Sequence, residues 1–446
     1  MSLISSYIER IKNNDHIDAP LFDKFNVKRG LRNSDGSGVL VGLTRVGEVH
    51  GYIVNEGEKQ AVPGKLFYRG VDVEDLVRNT AKEGRFGFEE AVYLLLFGNL
   101  PTHNELSHFC EILNDNRELP QGFTEDVIMK LPSRDIMNKL ASSVLNLYSY
   151  DEDPENLCGE NVLRQCLELI ARFPTIAAYC FRAKRHYFNN VSLIIHRLQD
   201  GLHTAETILS LMRPDQNFTQ LEAEILDLAL ILHAEHGGGN NSTFAVHLVS
   251  SADTDTYSAI SAGIGALKGF KHGGANSKVR SMIEDIKENV HHLDNDKEIS
   301  DYLIKIARGE TFDRRGLIYG MGHAVYTISD PRALLLKEKA LLLATEKNML
   351  DEFEIYHAVE RLGPDIIHDV KKAEKDVCTN VDLYSGFVYK MLGIPPEFYT
   401  PLFAVSRLAG WCAHRMEEVI AGSRIIRPAY KCVQQHIGYV PLDERK

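Results

Sequence analysis

Residues 222–239 read EAEILDLALILHAEHGGG, and this stretch decides the fold class. Its apolar residues Ile225, Leu228, Ala229 and Leu232 recur at a spacing of three or four, which places them on one face of an α-helix. The acidic residues of the stretch lie off that face. Three consecutive glycines then end the pattern, because glycine readily adopts the left-handed backbone found just beyond helices. The stretch therefore predicts an amphipathic helix with two histidines at its end.

The same helical spacing recurs through most of the chain from residue 73 onward. It is clearest in residues 88–97, 105–113, 135–147, 162–179 and 205–212. Strand signals are confined to residues 41–54 and 64–68, where β-branched residues alternate with glycines and residues 55–57 supply a turn. We therefore predict a mainly α protein with a short N-terminal β segment.

Composition excludes several classes of partner. The chain has 446 residues with 50 Lys plus Arg against 62 Asp plus Glu, a net charge of −12. Such a chain lacks the overall basic field that nucleic acid or an anionic membrane surface attracts. Its densest apolar runs, such as 228–232, are far shorter than the roughly 18 residues of a membrane span. We expect no nucleic-acid or membrane partner, whereas a small anionic ligand remains possible.

Cysteine usage and the N-terminus predict a cytoplasmic location. The seven cysteines are scattered and form no CxxC pair, which indicates reduced thiols rather than a disulfide framework. The first twenty residues include Glu9 and Asp15 and have no apolar core of signal-peptide length.

His233 and His236 lie three residues apart and could in principle bind a metal ion. No third ligand is near in sequence, and the order is not the HExxH of metalloproteases, so we predict no metal site. A helix end favoured by histidine charge is the plain alternative. A polar substrate site at the junction between helix and glycines is the third interpretation.

Two further glycine clusters each carry a histidine. Residues 268–278 read KGFKHGGANSK, where His272 precedes two glycines that allow close backbone approach to a ligand. Residues 314–332 read RRGLIYGMGHAVYTISDPR and contain His323. This second cluster only superficially matches a dinucleotide-binding loop, because a third glycine is missing and no strand clearly precedes it.

The C-terminal third holds an aspartate and two arginines in apolar surroundings. Asp382 lies in NVDLYSG at 380–386, where a helix cap is the plain interpretation. Arg407 and Arg427 either pair with carboxylates or bind an anionic ligand.

Taken together, these segments resemble the citrate synthase family. The motifs that match are His236 with GGGN, His272 in HGGAN, His323 in GHAV and Asp382 in NVDxYSG. The arginines Arg332, Arg407 and Arg427 match too, as do YRGVDVEDL at 68–76 and FEEAVYLLLFGNLP at 88–101. The resemblance covers about four-fifths of the chain.

The resemblance implies condensation of acetyl-CoA with oxaloacetate, followed by hydrolysis of citryl-CoA. It implies that Asp382 removes a methyl proton from acetyl-CoA, that His272 stabilises the resulting enolate, and that His323 polarises the oxaloacetate carbonyl. By the same resemblance, oxaloacetate is bound by four residues: His236, Arg332, Arg407 and Arg427. No cofactor is implied, because acetyl-CoA is a substrate.

The family also implies a domain arrangement and an assembly. Residues 1–40 would form an N-terminal extension, residues 41–274 with 398–446 a large helical domain, and residues 275–397 a small one. Closure of the domains would exclude water from the site. A homodimer or higher homo-oligomer is expected, with Arg427 reaching the partner's site.

Two alternatives remain open at this point. A 2-methylcitrate synthase would use propionyl-CoA, one methylene larger, and discrimination of that size is only about 1–3 kcal/mol. A non-catalytic metabolite-binding paralogue would have lost a catalytic side chain, whereas His272, His323 and Asp382 are all present.

Overall fold

The computed structural model describes residues 3–33, 36–55, 58–372, 376–422 and 424–445. It divides the chain into two compact units, residues 1–44 and residues 45–446. Residues 56 and 57 of the predicted turn, and parts of the predicted N-terminal extension, lie outside the described residues. The predicted division into a large and a small helical domain stays a prediction.

Three antiparallel strands form one sheet in the order β1-β2-β3. They are β1 (Gly47–Asn55), β2 (Glu58–Tyr68) and β3 (Val71–Asp72). The expected strand at 41–54 therefore starts later than predicted. The Arg45 N–H donates to Glu417 Oε1 at 2.7 Å, and the Val46 carbonyl accepts from the Arg69 N–H at 2.9 Å. These backbone groups are bonded outside the β1–β2 ladder, so the strand begins at Gly47.

Helices make up the rest of the regular structure, as predicted. The α-helices are α1 (Leu3–Asn14), α2 (Ala19–Lys24), α3 (Val73–Lys82), α4 (Phe88–Phe97), α5 (His103–Asp115), α6 (Ile136–Leu147), α7 (Gly159–Asn189), α8 (Thr204–Met212), α9 (Gln220–His233), α10 (Asn241–Ser250), α11 (Thr256–Lys268), α12 (Phe270–Gly273), α13 (Ala275–Asn289), α14 (Asp296–Arg308), α15 (Pro331–Glu346), α16 (Leu350–Lys371), α17 (Val381–Met391) and α18 (Tyr399–Ala421). Short helical turns occur at Arg29–Leu31, Thr124–Met129, Tyr148–Tyr150, Pro396–Phe398 and Leu442–Glu444. The segments predicted as helical at 88–97, 105–113, 135–147, 162–179 and 205–212 lie within these helices, except that Asp135 is the N-cap of α6 and not part of it. The mainly α prediction is confirmed.

Helix α9, the first one predicted, is buried on nearly all sides rather than on one face. Two of its acidic residues, Glu222 and Asp227, are buried because other elements supply their partners, whereas Glu224 is exposed. Asp227 accepts the N–H groups of Gly87 and Phe88, which caps the start of α4. Glu222 accepts from side chains of two other segments. The sequence pattern showed only the apolar stripe, because these partners lie far away along the chain.

Helix α18 runs through the core of the second unit. It packs against α4, α7, α9, α10 and α11, and Trp411 at its centre is fully buried. Three polar residues of the same helix, Arg407, His414 and Arg415, are also fully buried. Buried charged or polar groups are costly unless they are bonded, so this helix carries both the packing and the polar groups of the interior.

No helix within the described residues is long and apolar enough to cross a membrane. All seven cysteines are free thiols.

Candidate active site

A cleft of about 150 Å³ brings together six of the seven predicted site residues. These are His236, His272, His323, Arg332, Asp382 and Arg407. Asn240, Gly273, Asn276, Asn380, Val381, Tyr399, Thr400 and Phe403 complete its lining. Five separate segments of the chain thus meet at one place.

His236 enters the cleft from the turn that follows α9. Helix α9 ends at His233, and Gly237, in the turn that follows, has a φ of 82°, a left-handed conformation that glycine adopts without strain. Nε2 of His236 is buried and has no hydrogen-bond partner among the described residues. Burial, followed by the nearby positive charge of Arg332, holds the pKa of His236 well below its usual range. His236 is therefore a neutral imidazole able to bond a polar ligand.

His233 does not line the cleft that His236 enters. Its ring packs against Phe403 with 4.6 Å between ring centroids, and both of its nitrogens are buried with no hydrogen-bond partner among the described residues. Within the part of the chain that the structure describes, a group of three histidine and acidic side chains close enough for an ion lies elsewhere, on α10 and α18.

His272 is held along one edge by polar groups of α10 and its cap. Its Nε2 lies 3.1 Å from both Asn240 Oδ1 and Ser242 Oγ, and the Trp411 indole N–H donates to the same Ser242 oxygen at 3.2 Å. Nδ1 is the ring nitrogen left to meet a substrate. Burial, and then the charge of Arg407, lower the pKa of His272 to about 4, so the ring is neutral near pH 7.

Gly273, beside His272, is needed for packing. A Cβ there would lie 2.3 Å from the Leu267 carbonyl oxygen, too close for any other residue without a backbone shift. The Thr400 hydroxyl donates to the Gly273 carbonyl at 2.9 Å. This glycine therefore allows α12 to approach α11 and α18, whereas the sequence suggested approach to a ligand.

His323 has a tautomer set by the backbone. Its Nδ1 accepts the N–H groups of Val325 at 3.1 Å and Tyr326 at 3.0 Å, so the ring hydrogen of the neutral form is on Nε2. The ring stacks on Tyr326 with 4.6 Å between centroids and meets the edge of His236 at 5.1 Å. His323 is thus a fixed hydrogen-bond donor beside His236.

Asp382 lies in the first turn of α17, but it is not the cap. Asn380 caps the helix by accepting the Asp382 N–H at 3.0 Å, and its side-chain amide donates to the Gly322 carbonyl at 2.8 Å. The helix-cap interpretation of Asp382 is therefore wrong. No described residue donates a hydrogen bond to its carboxylate, and burial raises its pKa to about 6.

The two arginines of the cleft are held in different ways. Arg332 forms two hydrogen bonds to the Asp330 carboxylate, at 3.0 and 2.7 Å, which raise the pKa of the guanidinium. Arg407 donates from Nε to the His233 carbonyl at 2.6 Å, but its Nη1 is buried and no described residue bonds it. Burial lowers the pKa of Arg407 to about 10, so the group is still charged at pH 7. Its free donor is suited to an anionic ligand.

Arg427 is the predicted site residue that the structure does not bring to the cleft. It is exposed in the extended segment after α18, where the neighbouring Ile426 N–H donates to Ser251 Oγ at 3.1 Å. Within one chain, the described structure gives Arg427 no part in the site.

Sequence reasoning did not single out Asn240, Asn276, Ser242 and Asn380. Asn240 and Asn276 belong to the quoted GGGN and HGGAN motifs, so an asparagine after each glycine run was the available signal. Asn276 donates to Ser385 Oγ at 2.6 Å, and its own Oδ1 is buried with no hydrogen-bond partner in the described part of the chain. Ser242 gave no local signal, because its role depends on contacts with Trp411 and His272.

Comparison with known proteins agrees with this geometry. The family model described as "Citrate synthase, C-terminal domain" matches residues 35–429. A citrate synthase of Haloferax volcanii is 33% identical over 94% of this chain and 99% of its own length. A 2-methylcitrate synthase of Corynebacterium glutamicum is also 33% identical, over 85% of this chain and 92% of its own length.

Solved structures give the same result. The citrate synthase of Pyrobaculum aerophilum superposes with a TM-score of 0.75 at 31% identity, covering 92% of this chain and 94% of that one. The citrate synthase of Thermoplasma acidophilum, solved as a ternary complex with carboxymethyl coenzyme A and oxaloacetate, superposes with a TM-score of 0.76 at 28% identity, covering 94% of this chain and 99% of that one. Fold and site define a mainly α acyltransferase. The chain belongs to the citrate synthase family, and the function predicted from its sequence is confirmed at that level.

Proposed function

We propose that the chain condenses acetyl-CoA with oxaloacetate and hydrolyses citryl-CoA to citrate and CoA, with each side chain of the cleft in the role predicted for it. The observation that carries this proposal is the cleft itself. It combines a carboxylate of raised pKa, neutral imidazoles and two buried guanidinium groups. Proton removal beside a carbonyl needs a base and a stabiliser of the developing negative charge, and both are present.

Asp382 is the base in this proposal. Its carboxylate takes a methyl proton from acetyl-CoA, and the electron pair of that C–H bond becomes the enolate. A carboxylate with a pKa of about 6 is a stronger base than an exposed aspartate, because burial disfavours its charge. The methyl carbon then forms a bond to the carbonyl carbon of oxaloacetate.

His272 stabilises the enolate oxygen through an N–H on Nδ1. For that, Nε2 must accept a hydrogen bond, and Ser242 is the hydroxyl within reach, since the Trp411 N–H already bonds its oxygen. Ser242 Oγ, which carries a single hydrogen, also lies 2.9 Å from Asn240 Oδ1, and Asn240 Oδ1 itself lies 3.1 Å from His272 Nε2 and favours the opposite tautomer. The proposed role therefore requires that Ser242 donate to His272 rather than to Asn240 when the substrate binds.

His323 donates from Nε2 to the oxaloacetate carbonyl, which takes up negative charge as the new carbon–carbon bond forms. The backbone hydrogen bonds to Nδ1 support this role, since they keep the hydrogen on Nε2. Arg332, Arg407 and His236 bind the substrate carboxylates and orient the carbonyl. The reaction as proposed needs no cofactor.

Steady-state kinetics with acetyl-CoA and propionyl-CoA, each with oxaloacetate, tests the proposed function. We expect free CoA thiol to form with both, and kcat/KM to be higher for acetyl-CoA. A higher kcat/KM for propionyl-CoA would assign the chain as a 2-methylcitrate synthase. No thiol release with either thioester, while oxaloacetate still binds, would support the non-catalytic paralogue.

Replacing the two catalytic histidines should give different defects. We expect His272→Ala to lower kcat about a hundredfold while oxaloacetate affinity changes little, because His272 contacts the thioester. We expect His323→Ala to weaken oxaloacetate binding as well as kcat. Calorimetric titration with oxaloacetate, paired with kinetics, separates the two. An equal loss of oxaloacetate affinity in both variants would contradict these roles.

The dependence of kcat/KM on pH should follow the deprotonation of Asp382. The base works only when deprotonated, so kcat/KM for acetyl-CoA should fall as the pH drops through about 6, the pKa of this buried carboxyl. His272 stays neutral across this range, since its pKa is about 4. A rate measured from pH 5 to 8 should therefore be about tenfold lower at pH 5 than on the plateau. An acidic limb centred near pH 4 would argue against a buried base.

We also propose that the chain acts as a homodimer or a larger homo-oligomer in the cytoplasm, and that Arg427 serves the partner's active site. The support is that Arg427 is exposed and outside its own cleft. Size-exclusion chromatography with light scattering tests the assembly, and cell fractionation tests the location.

A complementation experiment tests Arg427 directly. Arg427→Ala and Asp382→Asn chains should each be nearly inactive. Their heterodimer should regain activity, because one site then combines an intact Asp382 with the partner's intact Arg427. Differently tagged chains allow the heterodimer to be purified. An inactive heterodimer of verified composition would show that Arg427 is not shared.

A further inference from the structure

A second cluster of ionisable side chains lies outside the cleft, between α10 and α18. His247 projects from α10, and His414 and Glu417 lie three residues apart on α18. Nε2 of His247 is 3.0 Å from Nδ1 of His414, which is 3.8 Å from Glu417 Oε2. One ligand atom from each of the three residues can be chosen so that all lie within 4.8 Å of one another.

Both histidines are oriented by carboxylates on their far sides. His247 Nδ1 lies 2.7 Å from Glu418 Oε2, and His414 Nε2 lies 3.0 Å from Glu235 Oε1. A carboxylate on the outer nitrogen of a histidine fixes the ring and makes the inner nitrogen a better metal ligand. The two inner nitrogens therefore face each other with their orientations fixed.

Two neutral imidazole rings do not carry enough hydrogens for all the contacts of this cluster. Glu418, His247, His414 and Glu235 form a row with three contacts at hydrogen-bond distance, and each contact needs one hydrogen. Two neutral imidazoles supply two hydrogens, which the outer carboxylates take up. The contact between the two inner nitrogens then needs a further cation, which is either an extra proton or a metal ion.

Glu417 favours the metal ion. Its Oε1 accepts the Arg45 N–H at 2.7 Å, whereas Oε2 is buried and has no hydrogen-bond partner among the described residues. A proton between two histidines leaves that oxygen unsatisfied, because both inner nitrogens are then occupied. An ion bound by both nitrogens and by Oε2 satisfies all three atoms.

We propose that His247, His414 and Glu417 bind one divalent transition-metal ion of the zinc class. Zinc takes imidazole and carboxylate ligands at about 2.0–2.2 Å, which puts tetrahedral ligand atoms roughly 3.4 Å apart. His414 Nδ1 lies 3.0 Å from His247 Nε2 and 3.8 Å from Glu417 Oε2, one distance below this value and one above it. Small side-chain movements would therefore bring these atoms to the distances of a zinc site. The ion ties α10 to α18 beside Glu235, the residue before His236. It is a structural ion, with no part in the reaction proposed for the cleft.

The test measures bound metal in tag-free, full-length protein. Cys158 and Cys432 are exposed thiols that could bind zinc themselves, so Cys158→Ser/Cys432→Ser serves as the parent. The protein is incubated with Zn²⁺, or with Co²⁺ as a spectroscopic probe, and is then desalted. Elemental analysis by inductively coupled plasma mass spectrometry then gives the number of metal ions per chain. We expect about one ion per chain and, for Co²⁺, visible bands of a four- or five-coordinate site.

Two ligand variants and one control complete the test. His247→Gln and Glu417→Gln should each retain less than about a fifth of an ion per chain. His108→Gln, a change at an exposed histidine on α5, should retain as much as the parent. Glu417→Gln keeps the shape of the side chain, and circular dichroism checks that both ligand variants fold. An unloaded parent, or folded ligand variants that retain as much metal as the parent, would overturn the proposal in favour of a shared proton.

Discussion

Asp382→Asn should lower kcat by about a thousandfold while oxaloacetate binds almost as well as before. Asparagine keeps the size of the side chain but cannot accept the methyl proton, and removal of a general base costs between about 10² and 10⁴ in rate. Burial raises the pKa of Asp382, which makes its carboxylate more basic, and no described residue donates a hydrogen bond that would stabilise the charge.

Proton exchange gives a direct measure of this step. With oxaloacetate or a mimic bound, the wild-type enzyme should exchange the methyl protons of acetyl-CoA, or of a non-condensing analogue, with deuterated solvent. Asp382→Asn should not. Exchange at the wild-type rate in the variant would show that another group is the base.

The free energy of unfolding of Asp382→Asn shows whether the variant is correctly folded. The folded state binds the Asp382 proton more tightly than the unfolded chain does, so the free energy of unfolding falls as the pH rises from the ordinary pKa of 3.8 to about 6, and the loss is complete above that. Removing that charge should leave the free energy of unfolding at pH 8 unchanged or higher. Asp365→Asn, an exposed aspartate on α16, is the matched variant and should change neither kcat nor exchange.

Arg407→Met should weaken oxaloacetate binding by roughly 100- to 1000-fold. Losing one partner of a buried, hydrogen-bonded charge pair costs about 2–5 kcal/mol, and each 1.4 kcal/mol is tenfold in affinity. Arg407 has no carboxylate within ion-pair distance among the described residues, and its Nη1 is unbonded. The guanidinium therefore gains its charged partner only when substrate binds.

The same variant should change the free energy of unfolding little, because two opposite effects act: the hydrogen bond from Arg407 Nε to the His233 carbonyl is lost, and a buried charge is removed. Burial lowers the pKa of Arg407, which means that folding acts against its charge. Methionine fills similar space without that cost. Denaturation and oxaloacetate titration on the same samples measure both effects.

Arg415→Met is the matched control. Arg415 is fully buried on the same helix, donates to the Thr254 carbonyl at 2.6 Å and lies outside the cleft. Its replacement should leave oxaloacetate affinity unchanged. If Arg407→Met binds oxaloacetate as tightly as wild type, Arg407 does not hold a substrate carboxylate.

The contrast between Asp382 and Asn380 shows where local sequence reasoning stops. Either residue could cap a helix that starts near 381, because both side chains accept backbone N–H groups. The fold gives the cap to Asn380 and leaves the Asp382 carboxylate unbonded. Burial in a cleft lined by five segments then raises its pKa, and nothing in the heptapeptide NVDLYSG encodes that environment.

His233 and His236 make the same point. Their spacing allowed a metal pair, a helix end or a substrate site, and the fold gives them different surroundings, with His233 packed on Phe403 and His236 in the cleft. The cluster that does have metal-site geometry joins residues 167 positions apart, so no sequence motif could reveal it.

Helical periodicity and spaced motifs are local properties of the chain, so they were enough to predict the mainly α class, the short β segment and the family. The family's motifs also named the six residues that meet in the cleft. The protonation and bonding of those residues could be known only from the folded chain: the Nε2 hydrogen of His323, the Nη1 of Arg407 that no described residue bonds, and the raised pKa of Asp382. The physical reason is that desolvation and hydrogen bonding depend on which distant segments pack around a group.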